Sequence, residues 1–281
     1  MRPRNYVYHA CYVEPFPAMP PDHPDPPLIQ RWLVPASPVA HYTHFEHHPL
    51  QEEPGARDTV LAGLTRLVFD YHNDPSEYRS DLEWLGFPGV AAELDRRPRA
   101  AATRMGNFGE IVASEYVQHA LGYDMPIVRL RYNPNPNQSM KGDDVLAFKF
   151  GQADGSGREV LVGEAKVRQR FATDVVEEAY EQLSSSQRRP IPTSLTFVAY
   201  VLRREGQMEK AEAVLTFLNT FLPHRKRWLL FIATSNQPRD PFACVQQSGT
   251  CPDNLLAINI TVANLQTLVR TLFEAEVVID D

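Results

Sequence analysis

Apolar residues recur along the chain with two different periods. Counting from Glu110 by helical spacing reaches Ala113, Ser114, Val117 and Leu121. That stripe is mainly apolar and predicts a helix over 107–121. Steps of two predict strands over 127–132, 144–150, 159–168, 194–202 and 228–234, with a further candidate over 255–260. Helical spacing returns over 174–187. It returns again over 207–222, where Ala211, Val214, Leu215, Leu218 and Leu222 share one side, and over 264–276. Nearer the N-terminus, residues 5–13 alternate well enough for a strand. Asp58 caps an amphipathic helix whose apolar face holds Val60, Leu61, Leu64, Leu67, Val68 and Tyr71. A second short helix ends near Leu85-Gly86.

The proline distribution divides this pattern. Twelve of the 24 prolines lie in residues 1–54, and the run Pro20 to Pro27 excludes regular structure there. Asp95-Arg96-Arg97-Pro98-Arg99 reads as a hinge. The expected organisation is therefore a Pro-rich N-terminal extension over 1–100, with a short strand and helices, and a core domain over 101–281. Trp32, Tyr42 and Phe45 suggest that parts of the extension dock on something.

Charge and cysteine usage bound the function. The net charge of −7 argues against a protein that coats DNA by itself, because phosphate neutralisation dominates such affinity. Residues 1–100 carry 9 basic and 14 acidic side chains, and the rest 19 and 21. Basic groups cluster at Arg168/Arg170, Arg188/Arg189, Arg203/Arg204 and His224 to Arg227. Several ringing one cleft would make a DNA path. No apolar run approaches the ~18 residues of a membrane span, and the first residues lack a signal-peptide apolar region. Cys11, Cys244 and Cys251 form no CxxC pair, which suits a reducing cytoplasm.

Candidate chemistry concentrates between Gly142 and Arg168. Along 159–168 the period of two puts Val160, Val162, Glu164, Lys166 and Arg168 on one face. A carboxylate and an ammonium then project side by side from an otherwise apolar strand. Asp144 abuts the apolar run Val145 to Phe148, so it sits at a strand mouth where it can join them; Asp143 competes for that place. Asp and Glu are hard oxygen ligands that suit Mg²⁺, with Mn²⁺ as the alternative. A bound metal lowers the pKa of water, and a neighbouring lysine can orient that water, help deprotonate it or stabilise the charged transition state. Glu110 lies on an apolar helical stripe, where an unpaired charge is costly, so it calls for a metal, lysine or arginine partner.

These motifs resemble the PD-(D/E)xK nuclease superfamily. More narrowly, Gly-Asn-Phe-Gly-Glu, Lys-Gly-Asp-Asp-Val-Leu-Ala-Phe and Gly-Glu-Ala-Lys-Val-Arg look like those of the HamA nuclease family of the Hachiman anti-phage system, over roughly residues 100–280. The resemblance implies an α/β fold, with a mixed central sheet flanked by helices and a core order of helix, three strands, helix and strand. It implies Glu110, Asp144, Glu164 and Lys166 as catalytic residues, the three acids as metal ligands, DNA as substrate and a HamB-like helicase subunit in a hetero-complex. Some superfamily members add Gln-x-x-x-Tyr on the next helix. Here Gln182 is followed four residues later by Ser186, which leaves Gln182 without a carried-over role.

Other readings compete. A stand-alone restriction- or repair-type nuclease has the same motifs. A non-catalytic DNA-binding or scaffold module would be expected to lose one of Asp, Glu or Lys, and none is lost. His41, His44, His47 and His48 could supply zinc ligands, but a proline-flanked polar or docking loop accounts for them more simply. No P-loop is present, so this chain is not expected to hydrolyse ATP.

Overall fold

The computed structural model describes residues 26–37, 40–85, 91–152, 156–188, 192–219, 224–249 and 251–277. The strand expected over 5–13 lies outside them.

Among the described residues six strands form one sheet in the order β1-β2-β6-β5-β4-β3. β4 (Glu159–Arg168), β5 (Arg225–Thr234) and β6 (Leu255–Thr261) run parallel, and β2 (Glu46–Glu52) joins β6 in the same sense. The edges, β1 (Leu33–Pro35) on β2 and β3 (Val145–Lys149) on β4, are antiparallel. Strands covered on both faces read as near-continuous apolar runs, and all seven residues Trp228 to Thr234 of β5 are buried. The expected mixed sheet flanked by helices is therefore present.

Each face carries one helical layer. Against one pack α1 (Leu28–Trp32), α2 (Arg57–His72), α5 (Ala101–His119) and α10 (Leu265–Glu274). Against the other pack α6 (Thr173–Arg188), α7 (Pro192–Arg204), α8 (Met208–Leu215) and α9 (Ala243–Gln247). The alternation of β4 serves both cores. Leu161, Ala165 and Val167 join the α5 side, while Val160 and Val162 join the α6 side.

Four expectations change. Residues 127–132 do not form a strand; Arg129–Tyr132 is a 3-10 turn. Its arginines explain why. Arg131 donates to the Asp70 carbonyl (2.8 Å) and pairs with Asp74 (2.9 Å), and Arg129 turns inward to Glu110, which curls the segment away from the sheet. Among the described residues only the Asp124–Phe148 bridge extends the ladder beside β3. Residues 194–202 are not a strand either but lie within α7. Leu195, Val198, Ala199 and Leu202 are buried at spacings of three and four, and that helical period overrides the β-branched and aromatic composition. Pro192 opens this helix, where its missing N–H is harmless. The expected order of helix, three strands, helix and strand is thus not what the chain shows: two further helices, α7 and α8, separate α6 from β5. The helix expected over 207–222 stops at Leu215 and continues as a 3-10 turn to Leu218.

The fourth change concerns residues 1–100. Rather than standing apart as an extension, residues 28–72 complete the sheet and its cover. β2 adds six register positions on β6, from Glu46↔Leu256 to Gln51↔Thr261. Trp32 is fully buried, edge-on to Phe108 at 6.1 Å, and donates its indole N–H to Glu52 (2.9 Å). The proline-rich composition concealed this because Pro35 and Pro49 each lie in a strand of the edge pair β1–β2. α3 (Pro75–Leu85) and α4 (Ala91–Leu94) then lead to α5. A chain beginning at Ala101 is expected to lose the cooperative thermal transition shown by the full chain, measured by circular dichroism. Trp32→Ala in the full chain is expected to cost about 3–5 kcal/mol in denaturant unfolding.

Candidate active site

β3 ends its pairing at Val145↔Gly163, so from Glu164 onward β4 has no strand beside it on that edge. Asp144, the residue before β3, bends into the opening and its Oδ2 accepts the Ala165 backbone N–H at 3.0 Å. Gly142, at φ +118°, makes the turn that brings Asp143 and Asp144 there; a residue with a Cβ would be strained in that conformation. The other wall is α5. A Cβ on Gly109 would lie 2.5 Å from Val167 Cγ2, so glycine sets how closely α5 lies on β4. That approach carries the next residue, Glu110, to the same cleft.

The cleft holds about 700 Å³ and is lined by all four sequence-predicted residues, Glu110, Asp144, Glu164 and Lys166, together with Asp143. Lys166 Nζ lies 2.9 Å from Glu164 Oε1 and 3.5 Å from Glu178 Oε1, and donates to Gln182 Oε1 at 2.6 Å. Asp143 accepts the Ser194 hydroxyl at 2.6 Å, whereas Asp144 sits deeper, on the backbone of β4. Arg168, half-exposed at the rim, contacts Glu178 at 3.4 Å. The basic cluster Arg225 to Arg227 lies at the opposite end of β5, where Arg225 pairs with Glu159 and Arg227 with Glu46.

Three residues at or behind the cleft went unassigned from the sequence. Arg129 Nη1 pairs with Glu110 Oε2 at 2.7 Å, and its Nη2 donates to the Met140 carbonyl at 2.7 Å. The apolar setting of Glu110 signalled a partner without identifying it. Gln182 holds Lys166, although the Gln-x-x-x-Tyr spacing gave it no role. Ser194 lay in what read as a strand.

Electrostatic stress marks the acids. Burial pushes Glu110 up to about 7; Asp144 and Glu164 add to the rise, and Arg129 opposes it. Burial and the nearby Asp144 push Glu164 up to about 7 as well, against the opposing Lys166. Burial raises Asp144, opposed by its bond from Ala165. Burial pulls the Lys166 ammonium down, but its bond to Glu164 and the charges of Glu164, Glu178 and Asp144 outweigh it, so its pKa is raised. Lys166 is therefore a cation at neutral pH, suited to orienting a water and countering negative charge rather than to removing a proton.

The donor set suits a hard divalent cation, which would relieve the repulsion among these carboxylates. Among the described residues no three His, Cys, Asp or Glu side chains are grouped closely enough to hold an ion alone. Glu110, Asp144 and Glu164, the three acids expected as ligands, therefore do not form a ready-made set; Mg²⁺ is a cation that commonly takes only one or two carboxylates, with water and substrate phosphate completing its shell. Two of the four histidines are engaged otherwise: His47 bonds Asn259 (2.7 Å), and His48 bonds Tyr116 (3.1 Å) and Glu46 (2.8 Å).

Comparison with known proteins gives the family. The HamA family model matches residues 36–275. The chain belongs to the HamA family. The match takes in β2 and α2 as well as the cleft. The Hachiman protein HamA of Bacillus cereus is 33% identical over 174 residues, which span 60% of this chain and 61% of that relative. No helix among the described residues is long and apolar enough to cross a membrane.

The raised carboxylates predict a pH dependence for the metal-free protein. The folded state holds protons on Glu110 and Glu164 up to about pH 7, whereas the ordinary value is 4.5. Between these values the folded state binds more protons than the unfolded, so stability is greatest at low pH and falls as pH rises through the window. In chelator, Tm is expected to drop from about pH 5 to about pH 8, and Glu110→Gln combined with Glu164→Gln should remove most of that drop.

Proposed function

We propose that this chain is a metal-dependent deoxyribonuclease of a Hachiman-type anti-phage system, hydrolysing phosphodiesters on DNA delivered by a helicase subunit. The observation that carries the reading is the convergence of Glu164 and Lys166 on one face of β4 with Asp144 and Glu110 across one cleft. The similarity to a Hachiman protein supports the defence role.

Asp144 and Glu164 are the residues we assign to Mg²⁺ (Mn²⁺ in its place), with Glu110 at the back of the same acid set. When bound, the ion supplies charge neutralisation at the phosphate and a lowered pKa for a water. Lys166 faces that phosphate as a fixed cation, held in place by Glu164, Gln182 and Glu178. Its position is set before substrate arrives, which is what makes such a charge effective in the transition state. Arg129 fixes Glu110 and tempers the negative charge behind the site. Arg168 stands at the rim, where it can meet the DNA backbone.

Net charge explains the need for a partner. A chain at −7 binds free DNA weakly at physiological salt, so cleavage would depend on a subunit that presents the strand. The surface we assign to that subunit is α3, which has no buried residue and bears Trp84 at 84% exposure. Aromatic anchors of this kind dominate interfaces.

With Mg²⁺ present, Asp144→Asn, Glu164→Gln and Lys166→Ala are each expected to lower single-turnover cleavage about a hundredfold or more, with circular dichroism confirming that each variant is folded at the assay temperature. Chelation should abolish wild-type cleavage. Wild-type rates in Glu164→Gln, or cleavage that survives chelation, would refute the mechanism. Trp84→Ala is expected to weaken co-purification with the helicase encoded alongside; undiminished complex would place the interface elsewhere.

A further inference from the structure

Next to the acid cleft lies a second, smaller cavity of about 210 Å³, walled from it by Met140 to Asp144 and by Thr193 and Ser194. Its character is different. Met125, Ile127, Leu146, Phe197 and Val198 make most of its lining apolar. Glu110, Ser114 and Gln118 form one stripe of α5, at successive spacings of four, that runs from the acid site along this annex. Ser114 is only 2% exposed, and Gln118, one turn further on, is partly open to solvent, so the stripe brings polar groups to an otherwise apolar wall.

We propose that this annex is a nucleobase subsite, which takes one unpaired base of the strand whose phosphodiester lies at Asp144, Glu164 and Lys166. The proposal rests on the nuclease reading and specifies its substrate as single-stranded or locally frayed DNA. Size limits the occupant. The cavity is smaller than the roughly 300–1,000 Å³ of pockets for drug-sized molecules and suits one planar heterocycle rather than a base pair. Chemistry limits it further. Bases taken out of a stack are held between apolar and aromatic side chains and read by hydrogen bonds at their edges. Here Phe197, Leu146 and Ile127 supply the apolar surface, and Gln118 supplies a donor and an acceptor together. The same face of α7 continues outward from Phe197 to Tyr200, which is 58% exposed and lies beside Arg204 at 5.9 Å. An exposed aromatic with an adjacent cation gives the next base a place to stack.

The test uses the full chain and two substrates. The first is a single-stranded oligonucleotide carrying one 2-aminopurine, titrated in chelator so that nothing is cut. Its fluorescence is expected to rise on binding as the base leaves its neighbours. Gln118→Leu, which keeps the shape of the wall, and Ile127→Trp, which fills the cavity, should each suppress that rise, with Tm confirming that both variants fold. No rise in wild type, or an equal rise in both variants, overturns the proposal. The second substrate is a tract of abasic residues, compared with oligothymidylate in Mg²⁺. Wild type is expected to cut the abasic tract about tenfold more slowly, the scale of losing one base contact. Equal cutting overturns the base subsite and leaves the nuclease reading intact. If neither substrate is cut but the fluorescence rise is present and lost in the variants, the subsite stands and the nuclease reading falls.

Discussion

The point where β3 stops pairing with β4 governs the site. Beyond Val145↔Gly163 the edge of β4 is open, and its backbone must find other partners. The Ala165 N–H finds Asp144, which draws a carboxylate down to the strand. The same opening brings the Asp144 carboxylate to the level of Glu164 and Lys166, which project from the face of β4. Gly163, at the last paired position, sits in tight packing: a Cβ there would lie 3.0–3.1 Å from Leu229 and Val145, which would have to give way by a few tenths of an ångström. Gly109 lets α5 close the far side. The cleft is thus a defect in the sheet, held open by one aspartate and bounded by glycines.

Crowding three acids into a buried space is unfavourable, and the structure offsets it with fixed cations on different elements. Arg129 comes from the turn before β3, Lys166 from β4, and Gln182 and Glu178 steady that lysine from α6. Protonation takes up what remains, as the raised values of Glu110 and Glu164 show. Such stress in a cleft is common where charged groups are kept for chemistry rather than for stability. It also accounts for the location of the site at the carboxyl end of β4, outside the close-packed part of both cores, where part of the charge still meets solvent.

The N-terminal third has two physical characters. Residues 28–72 are structural: Trp32, Leu50, Val60, Leu64 and Val68 belong to the core that supports α5, so they bear on the position of Glu110. α3 differs, with no buried residue and one prominent exposed tryptophan. A region can thus complete the fold and still leave a surface for another protein.

The sequence by itself determined what depends on short spacing. The face shared by Glu164 and Lys166 follows from the two-residue period of any strand, and the place of Asp144 follows from its position beside an apolar run. The need of Glu110 for a partner follows from its apolar helical stripe. Tertiary structure decided what depends on contacts distant in the chain. Arg129 reaches Glu110 across 19 positions, and Arg131 reaches Asp74 across 57, and these pairs replace an expected strand with a turn. The segment 194–202 satisfied both a β-like composition and a helical period, and only packing against α8 and into the apolar cluster on that face of the sheet selected the helix. Prolines suggested a detached N-terminus, yet Leu50 pairs with Ile260, 210 residues away, because that edge of β6 needs a partner wherever in the chain it lies. Local periodicity places side chains on faces. Which faces meet is settled by burial and charge compensation over the whole molecule.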